Sequence, residues 1–168
     1  MISKNQNLIR VQNISYSSSV DGEGFRDVLF VNYCPHHCEG CHNPETWDEA
    51  HGKWKTIDEI FEKLTMSDIT DVTFSGGEPF CQCEELTKLA KRLNAAGKTV
   101  WSYTGYLFED ILKDDEKKEL LMQLEVLVDG PFVKELKEEN LRFKGSTNQR
   151  IIDVQKSLKA NKIILWED

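Results

Sequence analysis

The sequence predicts an α/β fold: a partial or open (β/α) barrel of mostly parallel strands, built as a single domain over residues 1–168. Three observations carry this. Apolar, β-branched runs alternate with segments of helical periodicity, the pattern of a parallel sheet with crossover helices. Several of the predicted strands end in glycine-containing turns, and ligands gather at the carboxyl ends of such strands. Finally, 168 residues are too few for a closed eight-fold barrel, which takes about 250. A barrel of this length stays open on one side, where a large substrate can approach.

Taken in order, the first core strand is predicted over residues 28–31, an unbroken apolar run. A helix follows over 56–64, with Ile57, Ile60, Phe61 and Leu64 on one face. Thr56 is its N-cap, and Glu59 three residues on completes a capping box. Residues 72–74 form the next strand, ending at Ser75-Gly76-Gly77. Residues 84–93 are helical, with Leu86, Leu89, Ala90 and Leu93 inward and Gly97 as the stop signal. A strand over 99–103 ends at Thr104-Gly105, a helix covers 117–123, and a strand over 126–128 ends at Asp129-Gly130-Pro131. Residues 151–154 and 163–166 are read as two further short strands. There is no internal repeat, low-complexity tract or linker.

Composition narrows the function. The net charge of −8, from 29 acidic and 21 basic residues, argues against broad nucleic-acid binding, which relies on a cationic surface. No apolar run approaches the length of a membrane span. Residues 1–12 are polar and lack the apolar stretch of a secretory signal, so a cytoplasmic location is expected. The five cysteines, Cys34, Cys38, Cys41, Cys81 and Cys83, are an odd count that suits metal or redox use better than a disulfide framework.

Three of them form the loop Cys34-Pro35-His36-His37-Cys38-Glu39-Gly40-Cys41-His42-Asn43, with spacing C-x3-C-x2-C. Iron–sulfur clusters are held by thiolates, commonly four. A cubane held by only three keeps one iron open to another ligand. Gly40 lets the backbone approach a ligand closely, Pro35 stiffens the loop entry, and the preceding strand positions Cys34. The same loop admits a zinc reading, with His36, His37 or His42 joining two or three thiolates. Zinc sites usually recruit a second pair, however, and the C-x-C of Cys81 and Cys83 is an unusual one.

The loop resembles the signature of the radical S-adenosylmethionine (SAM) superfamily. The likeness extends to the activating proteins of anaerobic ribonucleoside-triphosphate reductase. It runs through Asp21-Gly22-Glu23-Gly24-Phe25-Arg26, the cysteine loop, Trp47 and Ser75-Gly76-Gly77-Glu78-Pro79, then Tyr103-Thr104-Gly105-Tyr106, Leu127 to Phe132, and Arg142 to Arg150. Two departures stand out: Gly40 replaces the aromatic residue common before the third cysteine in the superfamily, and Glu23 stands where related activators often have proline.

The resemblance implies a radical SAM type of open barrel and a [4Fe–4S] cluster on Cys34, Cys38 and Cys41. SAM would be bound near Gly40, Cys41 and His42, with the Gly76-Gly77-Glu78 turn receiving its amino group through backbone and carboxylate. It implies reductive SAM cleavage, a glycyl radical formed on the large catalytic subunit of the reductase, and reduced flavodoxin or a similar electron donor. Gly145 to Gln149 favour that partner over pyruvate formate-lyase. His42 is open between stacking near adenine and facing solvent. Asp129 is open between a ligand contact and an Asp-Gly turn. Gly22, Gly24 and Arg26 are open between shaping a docking surface and forming a hairpin turn, and the Arg142–Arg150 block between partner docking and a solvated loop. Cys81 and Cys83 receive no role, and the four tryptophans are read as packing residues.

Overall fold

A computed structural model of the chain describes residues 7–167. Of the polar N-terminal stretch, residues 1–6 lie outside the described residues. Seven strands form one sheet: β1 (Leu8–Ser18), β2 (Arg26–Val31), β3 (Lys53–Thr56), β4 (Asp71–Gly76), β5 (Val100–Tyr103), β6 (Val126–Asp129) and β7 (Arg150–Asp153), in the order β3-β1-β2-β4-β5-β6-β7. The central four, β2, β4, β5 and β6, are parallel. β1, β3 and β7 are antiparallel to their neighbours. The sheet does not close, as predicted from the chain length.

The helices are α1 (Ile57–Leu64), α2 (Cys83–Ala95), α3 (Phe108–Ile111), α4 (Asp115–Leu121) and α5 (Val154–Ala160). The predicted capping box of α1 is present: Glu59 N–H donates to Thr56 Oγ1 at 3.1 Å, and Thr56 N–H to Glu59 Oε2 at 2.9 Å. Gly97, at φ +86°, ends α2 as Lys98 N–H returns to Leu93 O at 3.0 Å. That conformation suits a residue without a Cβ.

Strand alternation divides the side chains between two faces. Leu29, Val31, Val72, Phe74, Val100 and Leu127 join the helices in the main core, where the predicted Leu86, Leu89, Ala90 and Leu93 are fully buried. The intervening residues face the barrel interior. Trp101, Val126 and Phe143 make a small second core there, and Trp166 closes on Trp101 at 5.2 Å. Arg26 lies in this floor, 2% exposed. Its guanidinium sits over Trp101 and donates to Thr73 Oγ1 and to the carbonyls of Val72, Thr99 and Glu23. Burial lowers its pKa to about 10. Gly22 and Gly24 belong to the turn between β1 and β2, and a Cβ on Gly22 would meet Arg26 at 2.6 Å.

Five elements depart from the sequence reading: helices α3 and α5, which were not predicted, α5 starting at Val154 where a strand was expected, and three that concern strands. Strand β1 was not predicted, because its pairing with β2 shifts register between Val11 and Asn13 and so breaks the apolar alternation. Strand β3 reads Lys-Trp-Lys-Thr, the charged composition of an edge strand. Residues 163–166, predicted as a strand, make only one bridge, Ile152 to Leu165. Asn161, at φ +53°, ends α5 and turns the chain back; Ser157 Oγ then bonds both N–H and C=O of Ile164, beside two backbone bonds to β7, Asp153 N–H to Ile164 O and Trp166 N–H to Ile151 O, each at 2.9 Å.

Candidate metal centre and ligand cavity

The parallel strands deliver their loops to one edge of the sheet, as the glycine punctuation predicted. Between these loops lies a cavity of about 460 Å³, within the ~300–1,000 Å³ usual for small-ligand sites. Cys34, Cys38 and Cys41 line it, together with Ser75, Gly76 and Gly77 from the end of β4. His42 lines it as well, whereas Gly40 does not. Of the residues singled out from the sequence, the three thiols and the Gly76-Gly77 turn thus share one cavity, which Gly40 and Glu78 do not line.

The cysteine loop is held from several sides. Tyr33 N–H donates to Thr46 O at 2.6 Å, and Cys41 N–H to Cys38 O at 3.1 Å. Asn32, fully buried, donates from its amide to Asp48 O at 2.9 Å. The His37 ring stacks on Trp47 with centroids 4.6 Å apart. Tyr33, His37 and Gly40 all have positive φ, so the loop doubles back sharply enough to turn three sulfurs to one side.

Those thiols suit a cluster. Asn43 N–H points at Cys41 Sγ at 3.3 Å. Burial pushes the Cys34 thiol up to about 11, while the backbone N–H groups of His36 and His37 pull the other way. Bound iron holds such a sulfur as thiolate. Among the described residues no three His, Cys, Asp or Glu side chains converge to hold a single metal ion. Cys83 lies in the helix-side core, donating to Phe80 O at 3.0 Å, and burial raises its thiol to about 12. Cys81 and Cys83 do not line the cavity.

Glu78 is 1% exposed. Its carboxylate accepts from Phe80 N–H at 2.9 Å, Gly105 N–H at 2.7 Å and Thr104 Oγ1 at 2.9 Å, and His36 Nε2 stands 2.7 Å away. Asp129 is similarly enclosed: it accepts from Phe108 N–H at 2.8 Å and from Arg150 Nε at 3.0 Å. Arg150 also grips Glu109 with two bonds, at 2.9 and 2.7 Å.

The segment between β6 and β7 crosses the cavity and contributes side chains that sequence reasoning did not assign. Phe132 meets the His42 ring at 5.3 Å, and Phe143 and Lys144 also line the space. The Gly145–Gln149 block proves to be an internal clasp. Gln149 Oε1 accepts from Gly145 N–H at 2.8 Å, and its Nε2 donates to Gly130 O at 3.0 Å. Asn148 Nδ2 donates to Pro131 O at 2.8 Å. The only sequence signal for this was the co-occurrence of the two blocks, which spacing alone cannot turn into contact.

Residues 20–152 match the family model described as a 4Fe-4S single cluster domain, which defines the class. The chain is 38% identical over 139 residues to the anaerobic ribonucleoside-triphosphate reductase-activating protein of Enterobacteria phage T4, covering 79% of this chain and 86% of that protein. It is 32% identical over 143 residues to the protein of that name from Haemophilus influenzae, covering 79% and 90%. For Escherichia coli K12 the identity is 34% over 141 residues, covering 77% and 89%. Among solved structures, QueE from Escherichia coli superposes with a TM-score of 0.52 at 14% identity, over 61% of this chain and 57% of that one; the shared architecture is an open α/β sheet with parallel central strands. The chain belongs to the family of anaerobic ribonucleoside-triphosphate reductase-activating proteins.

Proposed function

We propose that this protein activates an anaerobic ribonucleoside-triphosphate reductase by reductive cleavage of SAM, generating a glycyl radical on the large catalytic subunit. The observation that carries the reading is the trio of thiols sharing one cavity with the Ser75-Gly76-Gly77 turn and no fourth cysteine. When bound, a [4Fe–4S] cluster supplies one electron to the SAM sulfonium, releasing methionine and a 5′-deoxyadenosyl radical that takes a hydrogen atom from a glycine α-carbon of the partner.

The chain's own residues bind and orient. Cys34, Cys38 and Cys41, as thiolates, would hold the cluster, and three ligands would leave one iron for SAM. The Gly76-Gly77-Glu78 turn offers backbone acceptors to the SAM ammonium, which has only donors to give. The backbone of Gly40 and Cys41, with the His42 ring beside Phe132, forms the wall for the nucleoside. Phe30, Phe132 and Phe143, all lining the cavity, keep water from the reacting atoms. The protein thus supplies position and exclusion, and the cofactor the difficult chemistry.

On this reading the partners are the large reductase subunit and reduced flavodoxin or a similar donor, in the cytoplasm. Among the described residues no helix is long and apolar enough to cross a membrane. The test is anaerobic reconstitution with iron and sulfide, then dithionite and SAM with detection of 5′-deoxyadenosine. Addition of the large subunit should then give a glycyl-radical signal by electron paramagnetic resonance. Zinc in anaerobically purified material, or a cluster that leaves SAM intact, refutes the proposal.

A further inference from the structure

The turn after β4 carries a buried carboxylate that lies behind the cavity wall, bonded to three residues that line it, His36, Thr104 and Gly105. Ser75, Gly76 and Gly77 line the space, and Glu78 does not. An ionised carboxylate has about four acceptor sites, and four protein donors already take them: Phe80 N–H, Gly105 N–H, Thr104 Oγ1–H and His36 Nε2. One of these donors, His36, comes from inside the cysteine loop, between the first and second thiols. Thr104 and Gly105 come from the loop after β5. Gly105 has no side chain because the imidazole occupies that place: a Cβ there would lie 2.6 Å from His36 Cδ2. Tyr106 packs edge-on against the same ring at 4.7 Å.

We propose that Glu78 is a positioning residue, not a ligand of SAM. Its carboxylate ties the Cys34–Cys38 segment, through His36, to the loops after β4 and β5. The SAM ammonium is left to the backbone carbonyls of the Ser75–Gly77 turn. The inference rests on the proposed SAM site. It explains why the cysteine loop, the Gly-Gly-Glu-Pro turn and the Tyr-Thr-Gly-Tyr turn occur together: they are three parts of one clasp. Opening the turn to bring the carboxylate to a ligand would strip partners from a buried charge, which is costly.

The test compares SAM with its desamino analogue, which lacks only the amino group, by anaerobic equilibrium dialysis on the reconstituted, oxidised protein. SAM binding by the unsubstituted protein is the control for the site itself; without it, the functional reading and this inference fall together. With it, Glu78→Gln is expected to weaken both ligands by the same factor, because a displaced loop harms the whole site. His36→Ala, which leaves the carboxylate three partners and so keeps the protein folded, is expected to do likewise. The double variant should bind no more weakly than the worse single one. A loss for SAM about tenfold larger than for the analogue (~1.4 kcal/mol) in either single variant makes Glu78 a direct ammonium ligand and overturns the proposal. Unchanged binding of both ligands, or fully additive losses, overturns the clasp.

Discussion

Gly77 is where the ligand turn and the cysteine loop touch most closely, and replacing it by alanine tests how far the two depend on each other. A Cβ at this position would lie 2.2 Å from Tyr33 O and 2.8 Å from Tyr33 C. The first contact is more than 1 Å inside ordinary van der Waals distance, and both atoms are backbone, which no rotamer change can move. Either β4 or the residue before Cys34 must shift. A shift endangers two hydrogen bonds, Gly77 N–H to Val31 O at 2.9 Å and Glu78 N–H to Tyr33 O at 2.8 Å. Overpacking costs about 1–3 kcal/mol, and each backbone bond contributes about 0.5–1.5 kcal/mol. Gly77→Ala should therefore destabilise the cluster-free protein by about 2–6 kcal/mol. Urea unfolding under anaerobic, reducing conditions measures this, and the slope should stay unchanged as the midpoint falls. Iron content after reconstitution should fall with it, since Tyr33 leads directly into Cys34. A loss below about 1 kcal/mol with full iron loading would mean that the two loops tolerate separation, and the coupling argument would fail.

Other expectations are simpler. Cys38→Ala should abolish cluster assembly while leaving the fold intact, read by iron content and circular dichroism; a normal SAM-cleaving cluster in that variant contradicts the ligand assignment. Leu89→Ala, in a fully buried position, should cost about 2–5 kcal/mol in urea unfolding without changing SAM affinity per folded molecule. Prolonged aeration should destroy activity, because a cubane with one open iron is exposed to oxidants; unchanged 5′-deoxyadenosine yield after aeration counts against the mechanism. Arg150 holds the Glu109 carboxyl down to about 2. A depressed acid stabilises the fold above its ordinary range, and that contribution is lost as pH falls from about 4.5 towards 2. Glu109 is half exposed, so the contribution is under about 1 kcal/mol. Glu109→Gln should flatten the acid limb of a stability–pH profile, and an unchanged limb would refute the pairing.

The parallel core was legible because its signals are local and redundant. Each central strand is a short apolar run closed by glycine, and the box of Thr56 and Glu59 marks the start of α1 within a single turn. Strand β1 was hidden by a register shift that displaces Ile14 from the alternation of Ile9 and Val11. Strand β3 was hidden because an edge strand hydrogen-bonded on one side can carry lysines. At the site, the thiol spacing announced itself, since three cysteines in eight residues are a compact, local signal of metal ligation. The roles of Asp129 and of the Arg142–Arg150 block were not readable. A carboxylate after a strand looks the same whether it meets a ligand or Arg150. Asn148 and Gln149 look the same whether they face a partner or bond the carbonyls of Pro131 and Gly130.

The backbone of the cysteine loop shows where folding energy is diverted to the site. Tyr33 and His37, neither of them glycine, stand at φ +83° and +48°, a region that costs an ordinary residue about 1–2 kcal/mol. Such strain persists only where the surroundings over-determine it, and here they do. Tyr33 is fixed on both sides of its peptide, by Thr46 O and by Glu78 N–H, while His37 is fixed by its stack on Trp47. The gain is that all three cysteines of the loop line one cavity. None of these contacts uses a thiol, so a thiol removed from the loop should cost the cluster while leaving the fold standing.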